Sequence, residues 1–138
     1  MAIVRLVNTV KHAMLTPLKT AIDAGGAAGT IKIYTGAQPA LPTDAATGTL
    51  LGTLTFSHPC NATVGVPTPG ALTMGAISQD NAADATGVAG WARIADSAGN
   101  TVCDVDVTTT GGSGVVQMNT TNVVVGGPIL ISSFYFAI

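Results

Sequence analysis

The sequence predicts a mainly β protein: a β-sandwich or jelly-roll-like domain with an N-terminal helical segment. Apolar residues recur at helical spacing only before Gly25, whereas after Gly29 they alternate with polar residues, as in half-buried strands. Short apolar runs then follow one another, separated by turns that contain glycine or proline. At 138 residues the chain is long enough for one domain with its own core.

The first element is an amphipathic helix with a proline inside its pattern. Its apolar side is predicted to consist of Val7, Val10, Met14, Leu18, Ala21 and Ile22. Because Pro17 lacks a backbone donor, either the helix kinks there or a second helix starts at Pro17 with Thr16 as its N-cap. Gly25 and Gly26 end the helix. The stretch up to Gly29 is a connector and not a phosphate loop, because it follows a helix and precedes a strand.

Seven stretches of the remaining chain are predicted to be strands. They cover residues 31–34, 50–56, 71–77, 89–95, 101–107, 114–118 and 129–137. The segment "DSAGN", residues 96–100, is a tight hairpin connection in which Gly99 supplies a positive φ. The proline-rich stretch 57–70 is predicted to be an extended surface loop. Overall we expect one domain, with an arm and amphipathic helix over residues 1–25 and a β-sandwich-like part over 26–138.

Charge is scarce, and its distribution disfavours several classes of partner. Charged residues make up 9% of the chain and the formal net charge is −2. No basic stripe could follow a phosphate backbone, so we expect no nucleic-acid partner. The apolar runs fall short of the roughly 20 residues that a spanning helix needs, and the first residues do not resemble a signal peptide, so we expect neither membrane insertion nor export by the usual route.

Candidate chemistry in the sequence is weak, and we expect no enzyme activity, no cofactor and no metal. His12 and His58 have no catalytic motif around them, and Cys60, two residues after His58, matches no known nucleophile signature. Asp104 and Asp106 have strand spacing but too few neighbouring oxygen ligands for calcium, so a solvated strand face is the expected arrangement.

The lone tryptophan and the two cysteines have structural interpretations. Trp91 is predicted to be a core anchor rather than a platform for stacking a ligand. Cys60 and Cys103 lie 43 residues apart without a CxxC pattern, and free thiols are favoured over a disulfide.

Several segments, taken in order, resemble a family of small proteins encoded by tailed bacteriophages and prophages. They are "LKTAIDAG", "IKIYTGAQPALPTDAATGTLLGTLTFS", "ADATGVAGWARIADSAG" and "GGPILISSFYF". The resemblance implies a virion structural protein that decorates or cements the capsid shell, with a tail, neck or fibre-associated component as the alternative. It also implies that the protein is made in the host cytoplasm and is then incorporated into the virion. The stretch "SHPCNATVGVPTPG" departs from the more compact turn expected there.

The resemblance implies protein partners: the major capsid protein lattice or other virion proteins, with a homo-oligomer also open. The candidate partner interface is the start of the chain, where an arm over residues 1–7 could add a strand to an exposed edge. Its apolar side chains are Ile3, Val4, Leu6 and Val7. The alternative, left open by the sequence, is that these residues merely begin the amphipathic helix.

Overall fold

A computed structural model describes residues 3–138 and confirms the predicted fold class, because the chain is mainly β with one helix near its start. Met1 and Ala2 of the predicted arm lie outside the described residues. The elements are α1 (Asn8–Ile22), β1 (Thr30–Thr35), β2 (Leu50–Phe56), β3 (Thr63–Val64), β4 (Ala71–Thr73), β5 (Ile77–Ser78), β6 (Gly87–Ala95), β7 (Thr101–Thr109), β8 (Val116–Met118), β9 (Asn122–Val123) and β10 (Ser133–Ala137).

The strands form a curled sheet of mixed direction, which is compatible with a sandwich-like domain. The strand order is β3-β4-β10-β8-β7-β6-β1-β2-β5, and β9 pairs with β6 outside this path. Strands β7 and β8 are parallel and are joined by residues 110–115, so the chain returns beside the last residues of β7 only. Their register begins at Val107, opposite Val116. Within the described chain, residues 101–106 of β7 therefore have β6 as their only strand neighbour.

The main core lies between the inner face of the sheet and α1. Alternate residues of the central strands point into it, among them Ile31, Ile33, Ala92, Ile94, Val105 and Val107. Phe56, Phe134 and Phe136 pack edge to face with ring centroids 5.2–5.6 Å apart. Burying an aliphatic or aromatic side chain of this size contributes about 1.5–3 kcal/mol relative to leaving it exposed, so this layer supplies most of the drive to fold.

Helix α1 continues through Pro17, so the predicted second helix starting there is wrong. Thr16 does not act as an N-cap, because its hydroxyl donates to the carbonyl oxygen of His12, one turn earlier, at 3.2 Å. A proline inside a helix removes one backbone hydrogen bond. Leu15 and Ile22, on either side of it, are buried in the core, and their packing offsets that loss.

The buried side of α1 differs from the predicted apolar side. We call the three helix residues that pack on the core the inner stripe: Leu15, Leu18 and Ile22. Val7, Val10 and Met14 were expected to share the buried side, but all three are exposed. The helix carries two apolar stripes in different directions, and hydrophobic periodicity alone does not tell which one the sheet covers.

The predicted surface loop at 57–70 is wrong at Cys60 and Ala62, which pack into the core. Cys60 is fully buried, Ala62 is buried as well, and strand β3 follows directly. Two hydrogen bonds attach this stretch to the end of α1. The Cys60 N–H donates to Asp23 Oδ1 at 2.8 Å, and Lys19 Nζ donates to the Ala62 carbonyl oxygen at 3.1 Å. The loop therefore closes one end of the core.

Some strand limits also differ from those predicted. The stretch 71–77 is divided into β4 and β5, because the Gly75 N–H leaves the sheet and donates to the Cys60 carbonyl oxygen at 3.1 Å. A Cβ on Gly75 would lie 2.5 Å from that oxygen, so this close approach requires glycine. The hairpin at 96–100 is confirmed: β6 and β7 are antiparallel neighbours and Gly99 has a φ of +88°.

Candidate functional site

The arm, defined here as residues 3–7, belongs to no helix or strand and ends where α1 begins. Its apolar side chains have exposed fractions of 76% for Ile3, 77% for Val4, 37% for Leu6 and 65% for Val7. Val7 is the N-cap of α1, with extended φ and ψ of −68° and 154°. The helix starts at Asn8, so the alternative that these residues form its first turn is wrong.

The apolar surface of the arm continues along the helix. Val10 and Met14, which we call the outer stripe, lie one and two turns after Val7 on the same side of α1 and are 44% and 55% exposed. Scattered exposed apolar residues are ordinary in soluble proteins, but a contiguous row of them is typical of a protein-binding surface. The arm and the outer stripe form such a row.

A second feature lies along the free edge of β7. Residues 103–106 of that edge form the floor of an open groove of about 420 Å³, which we call the β7 groove. Its other lining residues are Leu18, Gln38, Val115 and Phe136. The edge is free because β8 is short and reaches only Val107. An uncovered strand edge presents unpaired backbone donors and acceptors and can pair with another extended segment.

The two aspartates of β7 differ in their environment. The Asp104 carboxylate accepts two hydrogen bonds from Arg93, at 2.7 Å from Nε and 2.8 Å from Nη2, and this ion pair is largely buried. The same bonds raise the pKa of Arg93. The expectation that both aspartates are solvated is therefore wrong for Asp104. Asp106 is exposed and accepts from the Val115 N–H at 2.9 Å; among residues 3–138 no cation lies within ion-pair distance of it.

Trp91 is buried, with 1% of its surface exposed, but it lies outside the main core cluster. It shares the outer face of the sheet with Arg93, and its ring stacks on Tyr34 with centroids 4.7 Å apart. The Arg93 guanidinium lies 5.4 Å from the Trp91 ring centroid. This cluster anchors the outer face, where polar and aromatic groups replace the aliphatic packing found on the inner face.

Cys60, His58 and Asp23 lie close together. The first two are neighbours in the sequence, but the sequence did not indicate that Asp23 lies beside them. His58 Nδ1 is 3.8 Å from Asp23 Oδ1, the same oxygen that accepts from the Cys60 N–H. Burial raises the pKa of the Cys60 thiol, and the thiol is closed off from solvent. A nucleophilic thiol needs an accessible thiolate, so this arrangement is that of a loop attached to a helix end.

Contacts within the fold also involve the remaining candidates, His12 and the two cysteines, and the hairpin carboxylate of Asp96. His12 lies on α1, and its Nε2 accepts from the Gly70 N–H at 3.3 Å. Asp96 caps the hairpin by accepting from Ala98 and Asn100. Cys60 and Cys103 are free thiols, and burial together with the charge of Asp104 raises the pKa of Cys103 to about 12. Across the described residues, no three His, Cys, Asp or Glu side chains converge as a metal site would require.

Comparisons with known proteins leave the family open. The chain matches no protein-family model, and no curated protein and no solved structure is significantly similar to it. In the part of the chain that the structure describes, α1 is not long and apolar enough to cross a membrane, and no other helix qualifies.

The β7 groove is the feature that sequence reasoning missed. The alternation in "CDVDV" predicts a strand with one wet face, but it does not reveal which strand lies on either side. The glycine-rich segment "TGGSG", residues 110–114, was the available signal, because it indicates a short connection after β7. A strand that follows so short a connection in parallel can pair only with the last residues of β7.

Proposed function

We propose that this protein is a structural component of a tailed-phage virion that decorates or cements the capsid shell through protein-protein contacts. The observation that carries the proposal is the exposed apolar arm on a charge-poor β body. The order of sequence segments that resembles small phage proteins adds to it. An arm that a monomer leaves uncovered is a feature of proteins that work in an assembly.

The physical basis of such a role is avidity. A protein that binds a repeated lattice needs only weak contacts per copy, because many copies hold the shell together. Binding to the assembled shell but not to free subunits stabilises the shell by mass action. Stiffness and an exposed contact segment matter more here than a catalytic group, and we propose that the chain works without catalysis.

The arm is the proposed contact with the shell. An extended apolar segment can add a strand to an exposed edge of a partner sheet, where backbone hydrogen bonds provide affinity and alternate side chains provide specificity. Ile3, Val4 and Val7 are exposed enough to make such contacts without any rearrangement of the β body.

Binding to purified heads that lack the protein tests the proposal. The double substitution Val4→Ser and Val7→Ser is expected to lower head occupancy at least tenfold while leaving the circular dichroism spectrum unchanged. The matched control is Leu41→Ser, which alters a similarly exposed apolar residue in the loop after β1. Wild-type occupancy by the arm variant would contradict the role of the arm. A virion copy number of three, six or twelve would overturn the decoration role in favour of a tail or neck component.

A further inference from the structure

We propose that the β7 groove receives the arm of a second copy of this chain, which adds as a short strand along residues 102–106. The proposal does not depend on the virion role, because both surfaces belong to the same chain. It gives the purified protein a defined mode of self-association, in which the arm of one copy covers the free edge of the next.

The backbone supports this pairing. Residues 102–106 have β6 on one side and the groove on the other, so alternate residues of the edge direct unpaired N–H and C=O groups into the groove. Residues 3–7 belong to no helix or strand, and their only backbone hydrogen bonds to other described residues are those that the Val7 carbonyl oxygen accepts from Val10 and Lys11. The two segments have equal lengths, and the backbone N–H and C=O groups of each can pair with those of the other.

The side chains have matching alternation. In a strand, Val4 and Leu6 point to one face, and Arg5 points to the other. The inner wall of the groove is apolar and is formed by Leu18, Val115 and Phe136. Seating the apolar pair against this wall directs Arg5 to the outer face of β7. A one-residue shift would put Arg5 against the apolar wall, so the register is specified.

Charge selects the same arrangement. The outer face of β7 carries Asp104, already paired with Arg93, and Asp106, which has no cation partner in the described part of the chain. Arg5 is exposed and likewise makes no ion pair there. Pairing the arm with the edge brings the free cation beside the free carboxylate.

A second copy fits better than the arm of the same chain. Val7 and Leu18 are eleven residues apart on α1, which places the start of the helix about 16 Å from the groove wall, at 1.5 Å per residue. Five extended residues span at most about 18 Å, so an arm of the same chain that has to cross this distance has no length left to pair along residues 102–106.

Sedimentation equilibrium of the full chain, without heads, tests the proposal. Arg5→Asp and Asp106→Lys should each weaken self-association roughly tenfold, because each replaces an attraction by a repulsion. The double variant should restore most of the affinity. Asp84→Lys, at an exposed carboxylate on the loop before β6, makes the same charge change and should leave self-association unaltered.

A mixing experiment tests the direction of exchange. A chain with Val4→Ser and Leu6→Ser has an impaired arm but an intact groove. A chain with Asp106→Lys has an impaired groove but an intact arm, because Arg5 is unchanged. Each chain alone should self-associate weakly. Mixing these two chains should form a two-chain complex at about the wild-type affinity, because the intact arm of the second chain docks in the intact groove of the first. A monomeric wild type, or failure of the charge-swapped double variant to recover, would overturn the proposal. Protection of the β7 edge in a strictly monomeric protein would assign the groove to the chain's own arm and also overturn it.

The Asp106→Lys variant separates this proposal from the virion role. It leaves the arm intact, so its binding to heads should persist if the arm contacts the capsid protein. Loss of head binding in the arm variant with unchanged self-association would support the virion role and refute arm exchange. The opposite result would do the reverse.

Discussion

The two apolar surfaces of helix α1 have similar composition but different surroundings. The inner stripe packs against the sheet, whereas the outer stripe and the arm have no covering element in the described chain. Folding depends on the first surface, since burial there removes apolar area from water. The second surface contributes little to the folded monomer, so its apolar character points to contacts with another molecule.

The central sheet shows a related contrast. Its inner face is closed by aliphatic side chains, and its outer face by the stacked Trp91 and Tyr34 and the Arg93–Asp104 pair. The inner face is stabilised mainly by burial, so substitutions that conserve side-chain volume are tolerated there and substitutions that remove volume are costly. The outer face relies on one ion pair and its hydrogen bonds, so removing one partner leaves the other without compensation.

The largest expected effect concerns the inner stripe. Ile22 is fully buried, and Ile22→Ala should lower the free energy of unfolding by about 2–5 kcal/mol, through lost burial and a new cavity. The matched change on the outer stripe is Met14→Ala, which should alter it by less than about 0.5 kcal/mol. Urea titration followed by circular dichroism measures both. Equal losses at the two positions would mean that the outer stripe is covered in the folded monomer.

The next effect concerns the outer face of the sheet. Asp104→Asn leaves the Arg93 guanidinium without its carboxylate in a largely buried place, and it should cost about 2–3 kcal/mol of unfolding free energy. Asp106→Asn, on the same strand and face, removes an exposed charge and should cost less than about 1 kcal/mol. Chemical denaturation of the two variants compares them directly, and a smaller loss for Asp104→Asn would disprove the structural role of the ion pair.

Much of the fold follows from local sequence patterns. The change from helical to alternating periodicity after Gly29 predicts the division into helix and strands, and "DSAGN" predicts the β6–β7 hairpin from turn chemistry alone. These features depend on neighbours in sequence. Whether Cys60 faces solvent or the core depends on long-range contacts with α1, which the prolines around it did not reveal.

The candidate site was predictable only in part. The apolar residues of the arm are visible in the sequence, but their exposure depends on the direction in which α1 docks. The β7 groove depends on strand order, and a parallel neighbour that covers only the last residues of β7 leaves no periodic signal. Pairings that are distant in sequence determine both features.

A smaller effect is expected in the β6–β7 hairpin turn, where hydrogen bonds between Asn100 and Asp96 stabilise an exposed end of the sheet. Hydrogen bonds from the side chain and the backbone of Asn100 lower the pKa of Asp96. A carboxyl whose pKa is lower in the folded state contributes stability above its unfolded pKa of about 3.9, and this contribution is lost as the pH falls through the folded pKa. Asn100→Ala should therefore reduce the acid-induced loss of stability below about pH 4. Thermal unfolding between pH 2 and 6 measures it, and curves parallel to those of the wild type would contradict the assignment.

The smallest expected effect concerns thiol reactivity, which should be absent at the two native cysteines and present at a cysteine introduced on the exposed outer stripe. Cys60 is closed off from solvent, and the Cys103 pKa of about 12 leaves about one thiolate in ten thousand at pH 8, so neither thiol should react with a disulfide reagent in the native protein. Met14→Cys introduces a thiol on the outer stripe, which should react rapidly and once per chain. Denatured wild type should show two reactive thiols. If Cys103 in the native wild type reacts as fast as the introduced thiol, its side chain is not covered in the folded protein, and the contrast between covered and uncovered side chains fails at that residue. If the introduced thiol is slow only at high protein concentration, a second copy covers the outer stripe as well as the groove.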